Sequence, residues 1–251
     1  MSEARKHSTA LVTGSTDGIG AAIAVALAAG GTQVVVSGRD RERGEKVVAQ
    51  IVEAGGRAAF VAADLGRGAP AARELAAAAH ELAGGPLDVL VNNAAMLIKP
   101  GPTADVDEEL IDGALAVNIK AAFLLTGLVA PRMAERGRGA IVNIGSINGL
   151  VGMAGSALYS TTKAAIHSLT KSWAAEYGPH GVRVNTVAPG PTSTPRSVRF
   201  ADHIAPLIAR APARRVSTTE EVAKAVVFLA GADSTNVHGA TLTVDGGWSA
   251  V

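Results

Sequence analysis

The chain has 251 residues, of which 48% are hydrophobic and 18% charged, and its formal net charge is +1. That length and balance suit one large α/β domain or two small ones, and the near-neutral charge argues against nucleic acid or a membrane surface as a partner. The absence of cysteine excludes disulfides, thiolate metal sites and cysteine nucleophiles, and it fits a reducing cytoplasm.

The opening "MSEARKHSTALVTG" has no apolar stretch of the kind a secretory signal needs, and no uninterrupted apolar run reads as a transmembrane helix. A cytoplasmic protein is therefore expected. Short β-branched runs at 10–14, 33–38, 58–64, 87–93, 139–146, 182–190 and 240–247 read as strands. Between them, alanine-rich segments of helical period predict helices near 18–30, 41–54, 69–83, 105–134, 156–177 and 219–231. Pro131 should bend or shorten the fourth. Continuous apolar strands joined by helices imply right-handed crossovers and a parallel sheet covered on both faces. The expected fold is a single-domain, Rossmann-type, doubly wound α/β sheet of about seven strands, occupying 1–251. The proline-rich stretch 191–215 interrupts the pattern and reads as a mobile substrate flap with a short helix.

In chain order, the first chemical signal is "TGSTDGIG", which places Gly14, Gly18 and Gly20 between a strand and a helix. Such a turn leaves backbone N–H groups open to a pyrophosphate at a helix N-terminus. Gly14, Ser15, Thr16, Asp17, Gly18 and Ile19 are accordingly cofactor-binding candidates. The second strand ends in "VVVSGRD", with Gly38 where a ribose-binding acid is usual and Arg39 after it. An arginine there suits a 2′-phosphate, so NADP(H) is favoured over NAD(H). Asp40 turned inward would reverse that preference.

Asp64 and Leu65 close the third strand and are candidates for the adenine end. Asn92 and Ala94, in "VNNAA", follow the fourth strand, where asparagines either touch the cofactor or brace the loops. Pro189 and Gly190 end the sixth strand at the sheet edge where ligands bind in this architecture. Tyr159 and Lys163 stand one helical turn apart, so phenol and ammonium share a helix face. At about 4 Å and an effective dielectric near 20, two unit charges interact by roughly 4 kcal/mol, enough for about 3 pKa units. Lys163 is thus expected to bring the Tyr159 phenol towards neutral pH, where a general acid/base works best. Ser146, ending the preceding strand, can return a hydroxyl to the same place.

"TGSTDGIG", "NNAA", Asn118 in "AVNIKAAF", "VNIGSINGL" with Ser146, "YSTTK" and "VAPGPTST" together resemble the short-chain dehydrogenase/reductase family over nearly the whole chain. The resemblance implies hydride transfer between a nicotinamide cofactor and a carbonyl or secondary alcohol substrate. It assigns proton transfer to Tyr159, substrate polarisation to Ser146, the nicotinamide ribose to Lys163 and a relay water to Asn118. It also implies that Thr194, or Thr192 in the same loop, meets the carboxamide beside the 189–190 backbone. A homotetramer or dimer is implied, with helices 105–134 and 156–177 at one interface and the last strand at another. The alanine closing "NNAA" departs from the family's more usual glycine. His167, one turn past Lys163, reads as a packing or subunit-contact residue, and Met96 and Met153 as pocket lining or, more usually for methionine, core filler. Arg196, Arg199, Arg210, Arg214 and Arg215 read as solvated surface. The rival of another class is a nucleotide-sensing protein that keeps this fold without turnover.

Overall fold

The computed structural model describes residues 8–195, 197 and 207–251. One seven-stranded parallel sheet runs through them in the order β3-β2-β1-β4-β5-β6-β7. Its strands are β1 (Thr9–Val12), β2 (Gln33–Gly38), β3 (Arg57–Ala62), β4 (Val89–Asn92), β5 (Gly139–Ile144), β6 (Val182–Pro189) and β7 (Thr241–Val244). β1 and β4 are buried throughout, which is why they carry continuous apolar runs rather than alternating ones. Side chains still alternate between faces. Leu11 packs with Leu75, Leu125, Ile141 and Trp173 on one face, while Val12 packs with Ile23, Ile51, Val226 and Leu229 on the other.

The covering helices are α1 (Gly18–Ala29), α2 (Arg41–Glu53), α3 (Ala69–Leu82), α4 (Glu108–Leu115), α5 (Ala121–Ala134), α6 (Ala157–Tyr177) and α7 (Thr219–Ala230). Local chemistry sets several of their starts. Asp17, Asp40 and Asp107 cap α1, α2 and α4 through side-chain acceptors, and Thr218 forms a reciprocal capping box with Glu221 on α7. These contacts satisfy first-turn N–H groups that have no partner within the helix.

The helix expected at 105–134 differs in two respects. It is divided by a wide π turn, Ala116–Lys120, and Pro131 lies within the last turn of α5 without ending it. A proline so close to the C-terminus removes one hydrogen bond and leaves the preceding turns intact. The run Glu108–Ala134 is also long and apolar enough by composition to cross a membrane, although Asp112 and Lys120 interrupt it. Here Leu125, Val129 and Met133 are buried in the core on the sheet.

The strand order reverses between β1 and β4, and in open parallel sheets a crevice forms there, beyond the strands' carboxyl ends. The ends of the 191–215 segment are pinned beside it. Thr192 bridges Ser217, and the Ser217 N–H donates to the Pro191 carbonyl at 2.9 Å. Arg196 and Arg199 lie outside the described residues, as does the rest of 198–206 within the flap.

Candidate active site

A cleft of about 710 Å³ opens at this switch point, lined from the glycine turn at one end to Ser146, Tyr159 and Lys163 at the other. Its volume falls in the range of cofactor sites. The glycine turn is shaped by close backbone approach. A Cβ on Gly14, which has φ +62°, would lie 2.8 Å from the Ala94 Cα, and one on Gly20 would lie 2.4 Å from the Asn93 amide nitrogen. Asn93 itself donates to the Thr13 and Gly14 carbonyls at 2.9 and 3.0 Å. The Thr13 hydroxyl accepts from the Asn93 and Ala94 N–H groups at 3.0 Å each. Gly18 differs: its nearest neighbour to an added Cβ is the Thr194 methyl at 3.5 Å, so its open side faces the cleft. The turn therefore fits a dinucleotide pyrophosphate, with bare backbone at a helix N-terminus.

Of the sequence-derived cofactor candidates, Gly14, Thr16, Asp17, Gly18, Ile19, Arg39, Asp64, Leu65, Ala94, Pro189, Gly190, Thr192 and Thr194 line this cleft. The side chains of Ser15 and Asn92 do not. Ser15 is fully buried, its hydroxyl donating to the Val12 carbonyl at 2.6 Å and accepting from the Ser37 N–H at 2.9 Å. Asn92 donates to Asn143 at 2.9 Å and Thr126 at 3.2 Å, so it braces β4 against β5 and α5. In both cases a buried amide or hydroxyl had to find partners inside the protein.

At the far end Arg39 is exposed at the cleft wall. Asp40 is occupied otherwise: its carboxylate accepts from the Arg43 N–H at 3.0 Å and from the Arg43 side chain at 2.7 Å. Those bonds hold its carboxyl below the usual range, the backbone one contributing most. Arg43 also stands 3.5 Å from Asp17 and lines the cleft. The sequence reading missed it, although its place one turn beyond Asp40 on α2 was the available signal.

At the catalytic end, Tyr159 and Ser146 line the cleft together, close enough for the Ser146 hydroxyl to act on the phenol. The Ser146 hydroxyl also accepts from the Asn148 N–H at 3.2 Å. Burial pushes the Tyr159 phenol up to about 12, with the Ser146 hydroxyl acting in the opposite direction. Burial likewise pulls the Lys163 ammonium down to about 8. This corrects the expectation that Lys163 lowers the Tyr159 pKa. The Lys163 Nζ stands 5.7 Å from the Tyr159 ring centre and donates to the Ile144 carbonyl at 2.8 Å. Desolvation disfavours both charged forms here and dominates.

Asn118 is buried within the π turn. Its side chain accepts from the Met96 N–H at 2.6 Å and donates to the Met96 carbonyl at 3.1 Å and to Thr162 at 3.2 Å. The side chain thereby joins the loop after β4 to α6, a position such turns commonly hold. Met96, Leu97, Val117 and Ser197 also line the cleft. Val117 stands beside Asn118 in "AVNIKAAF" and Ser197 in the expected flap, and Met96, read as pocket lining or core filler, lines the pocket with Leu97. Arg215 pairs with Glu221 at 2.6 Å, and Arg210 lies over the Trp248 ring at 4.4 Å, outside the cleft lining.

A family profile described as Enoyl-(Acyl carrier protein) reductase matches residues 14–249. The cis-4-hydroxycyclohexanecarboxylate dehydrogenase of Sinomonas cyclohexanicum is 40% identical over 252 residues, covering 100% of each chain. A solved short chain dehydrogenase/reductase family protein superposes with a TM-score of 0.89 at 44% identity, covering 97% of this chain and 98% of its own. A candidate 2-deoxy-D-gluconate 3-dehydrogenase from Agrobacterium tumefaciens, solved with bound NADP, is 35% identical with a TM-score of 0.89, covering 99% of this chain and 98% of its own. The fold and these relatives define an NAD(P)-dependent oxidoreductase acting on CH–OH or C=O groups. The chain belongs to the short-chain dehydrogenase/reductase family.

Proposed function

We propose that this oxidoreductase prefers NADP(H) and interconverts a small secondary alcohol and its ketone, with Ser146, Tyr159 and Lys163 as the reacting set. The observation that carries this reading is the convergence of Ser146 and Tyr159 beside buried Lys163 in one cleft. When bound, the nicotinamide supplies or accepts the hydride. In the reductive direction the Ser146 hydroxyl donates to the carbonyl oxygen and stabilises the negative charge that grows on it. With its pKa near 12, Tyr159 holds its proton at neutral pH and can deliver it to that oxygen. Lys163 holds the end of β5 and presents its ammonium to the nicotinamide ribose. Because the Asn118 side chain is engaged with Met96 and Thr162, a relay water would be held by its backbone carbonyl.

NADP(H) preference rests on Arg39 at the cleft wall and on the engagement of Asp40 with Arg43, which leaves its carboxylate ill placed to accept from a ribose 2′-hydroxyl. The NADP-bound relative supports the same choice. The ring alcohol in the name of the Sinomonas relative makes 4-oxocyclohexanecarboxylate a rational first probe. We further propose a homo-oligomer, tetramer or dimer. Ile111, Leu115 and Phe123 on α4 and α5 are exposed apolar side chains, as are Phe228 on α7 and Leu242 on β7. A single domain in a reducing cytoplasm completes the reading.

The deciding experiment titrates the protein with NADPH and NADH by nicotinamide fluorescence, then follows NADPH oxidation with the ketone probe for the natural chain and Tyr159→Phe. Tighter NADPH binding, with turnover that falls about 100-fold or more in Tyr159→Phe, is expected. Stronger NADH binding overturns the cofactor assignment. Equal turnover in both proteins overturns the role of Tyr159, and binding without turnover across a panel of ketones favours the nucleotide-sensing rival.

A further inference from the structure

His167 has no part in the chemistry just described, yet its position is tightly specified. It lies on α6 one turn beyond Lys163, and its side chain is buried. Its Nε2 is 3.0 Å from the Ser146 carbonyl oxygen, and its Nδ1 is 3.2 Å from the Thr241 hydroxyl at the start of β7. A carbonyl only accepts, so Nε2 carries the proton. Nδ1 then accepts from Thr241 in the neutral ring. Burial lowers the ring's pKa, with the bond to Ser146 opposing it.

The backbone around Ser146 is cut to fit this ring. A Cβ at Gly145 would lie 2.6 Å from His167 Cε1, and one at Gly149 would lie 2.6 Å from His167 Cδ2. The imidazole therefore lies against two residues that bracket Ser146, where side chains would exclude it. Two successive turns of α6 thus grip the end of β5, Lys163 at the Ile144 carbonyl and His167 at the Ser146 carbonyl. The second grip acts on the residue whose hydroxyl lies with Tyr159 in the cleft lining.

We infer that His167 is a positioning residue: through the Ser146 carbonyl it sets where the Ser146 hydroxyl stands relative to the Tyr159 phenol. The inference rests on the proposed reading of Ser146 and Tyr159. It differs from a packing role because a shape-filling apolar side chain cannot replace the donor at Nε2, whereas a glutamine amide can.

The chain has 2 tyrosines, so a Tyr177→Phe background leaves Tyr159 as the sole phenol. With 13Cζ-labelled tyrosine, its NMR resonance reports the phenol's hydrogen bonding without any substrate. Ser146→Ala should displace that resonance. His167→Leu should reproduce most of the displacement, His167→Gln should return it to the parent position, and His167→Leu added to Ser146→Ala should add nothing, as coupling through one partner requires. If His167→Leu does not fold, Thr241→Val, which removes the donor to Nδ1, should move the resonance in the same direction by less. An unmoved resonance in the folded His167→Leu protein, or an unmoved one in Thr241→Val where that protein is used, overturns the inference. So does a Gln variant indistinguishable from Leu, or an equal displacement with and without Ser146. A resonance indifferent to Ser146→Ala overturns the action of Ser146 on Tyr159 itself and with it the underlying reading.

Discussion

The Lys163 ammonium is hydrogen-bonded to the Ile144 carbonyl at 2.8 Å, and this bond binds the helix that carries Tyr159 to the strand that leads into Ser146. The two elements follow one another in the chain and are joined at the cleft by a buried cation. Burying that cation has an energetic consequence that pH can expose.

Lys163 loses its proton at about 8 in the folded protein against 10.5 in the unfolded chain. Between those values the unfolded chain binds more protons, so this residue's contribution makes stability rise with pH. Below about 8 its destabilising effect is present in full. Thermal melts of the natural protein and Lys163→Met at intervals from pH 7 to 10 should therefore show the difference between them move in favour of the natural chain as pH rises. A difference that stays constant over that range would show that Lys163 is not desolvated.

Arg39→Ala should weaken NADPH binding by about tenfold or more and leave NADH binding within about threefold, because one charge-assisted contact to a phosphate is worth roughly 1.5–3 kcal/mol. Asp40→Ala should lower stability by about 1 kcal/mol through loss of the α2 cap, with no loss of NADH affinity. Parallel fluorescence titrations and urea melts decide both points. A strong fall in NADH affinity on Asp40→Ala would restore Asp40 as the ribose acceptor.

Gly14 and Gly18 both have positive φ, 62° and 54°, yet their surroundings differ. An alanine at Gly14 meets backbone at 2.8 Å, whereas one at Gly18 meets only a methyl at 3.5 Å. Gly14→Ala is expected to cost about 2–4 kcal/mol from strain plus overlap, and Gly18→Ala about 1–2 kcal/mol from strain alone. Gly18→Ala should nonetheless lose cofactor affinity, since its new methyl points into the cleft. Denaturant melts with and without NADPH separate the two effects.

Phe123 is 53% exposed and stacks edge-on against Trp173 at 5.8 Å. If α4 and α5 meet a second copy, Phe123→Arg should lower the molar mass measured by light scattering by at least half, because a desolvated charge at an interface centre is strongly unfavourable. A natural chain that is already monomeric would remove the oligomer from the proposal.

Much of the fold was legible because its determinants are local. β2 was read at 33–38 and is observed at Gln33–Gly38, since a buried parallel strand announces itself by an apolar β-branched run. β3 was read too long because Ala63 and Asp64 are small and apolar-flanked; instead Asp64 accepts from the Gly66 N–H at 3.1 Å and starts a short turn. The π turn at Asn118 left no trace in periodicity. Its geometry satisfies a remote partner, the backbone of Met96, that a helical reading of 105–134 does not contain.

The same division runs through the site. The sequence by itself determined which groups were available: a glycine turn, a cation after the second strand, and a phenol and ammonium on one helix face. These follow from residue type and from helix and strand periods, which act over a few residues. Only the tertiary structure decided their states. Ser15 and Thr16 are neighbours, yet one is closed inside the turn and the other lines the cleft. Lys163 and Tyr159 have the spacing of a charge pair, yet desolvation governs both, and the lysine reaches the carbonyl of Ile144. Burial and hydrogen-bond partners come from chain segments far apart in sequence, and in a low-dielectric interior they outweigh what neighbours along one helix can impose.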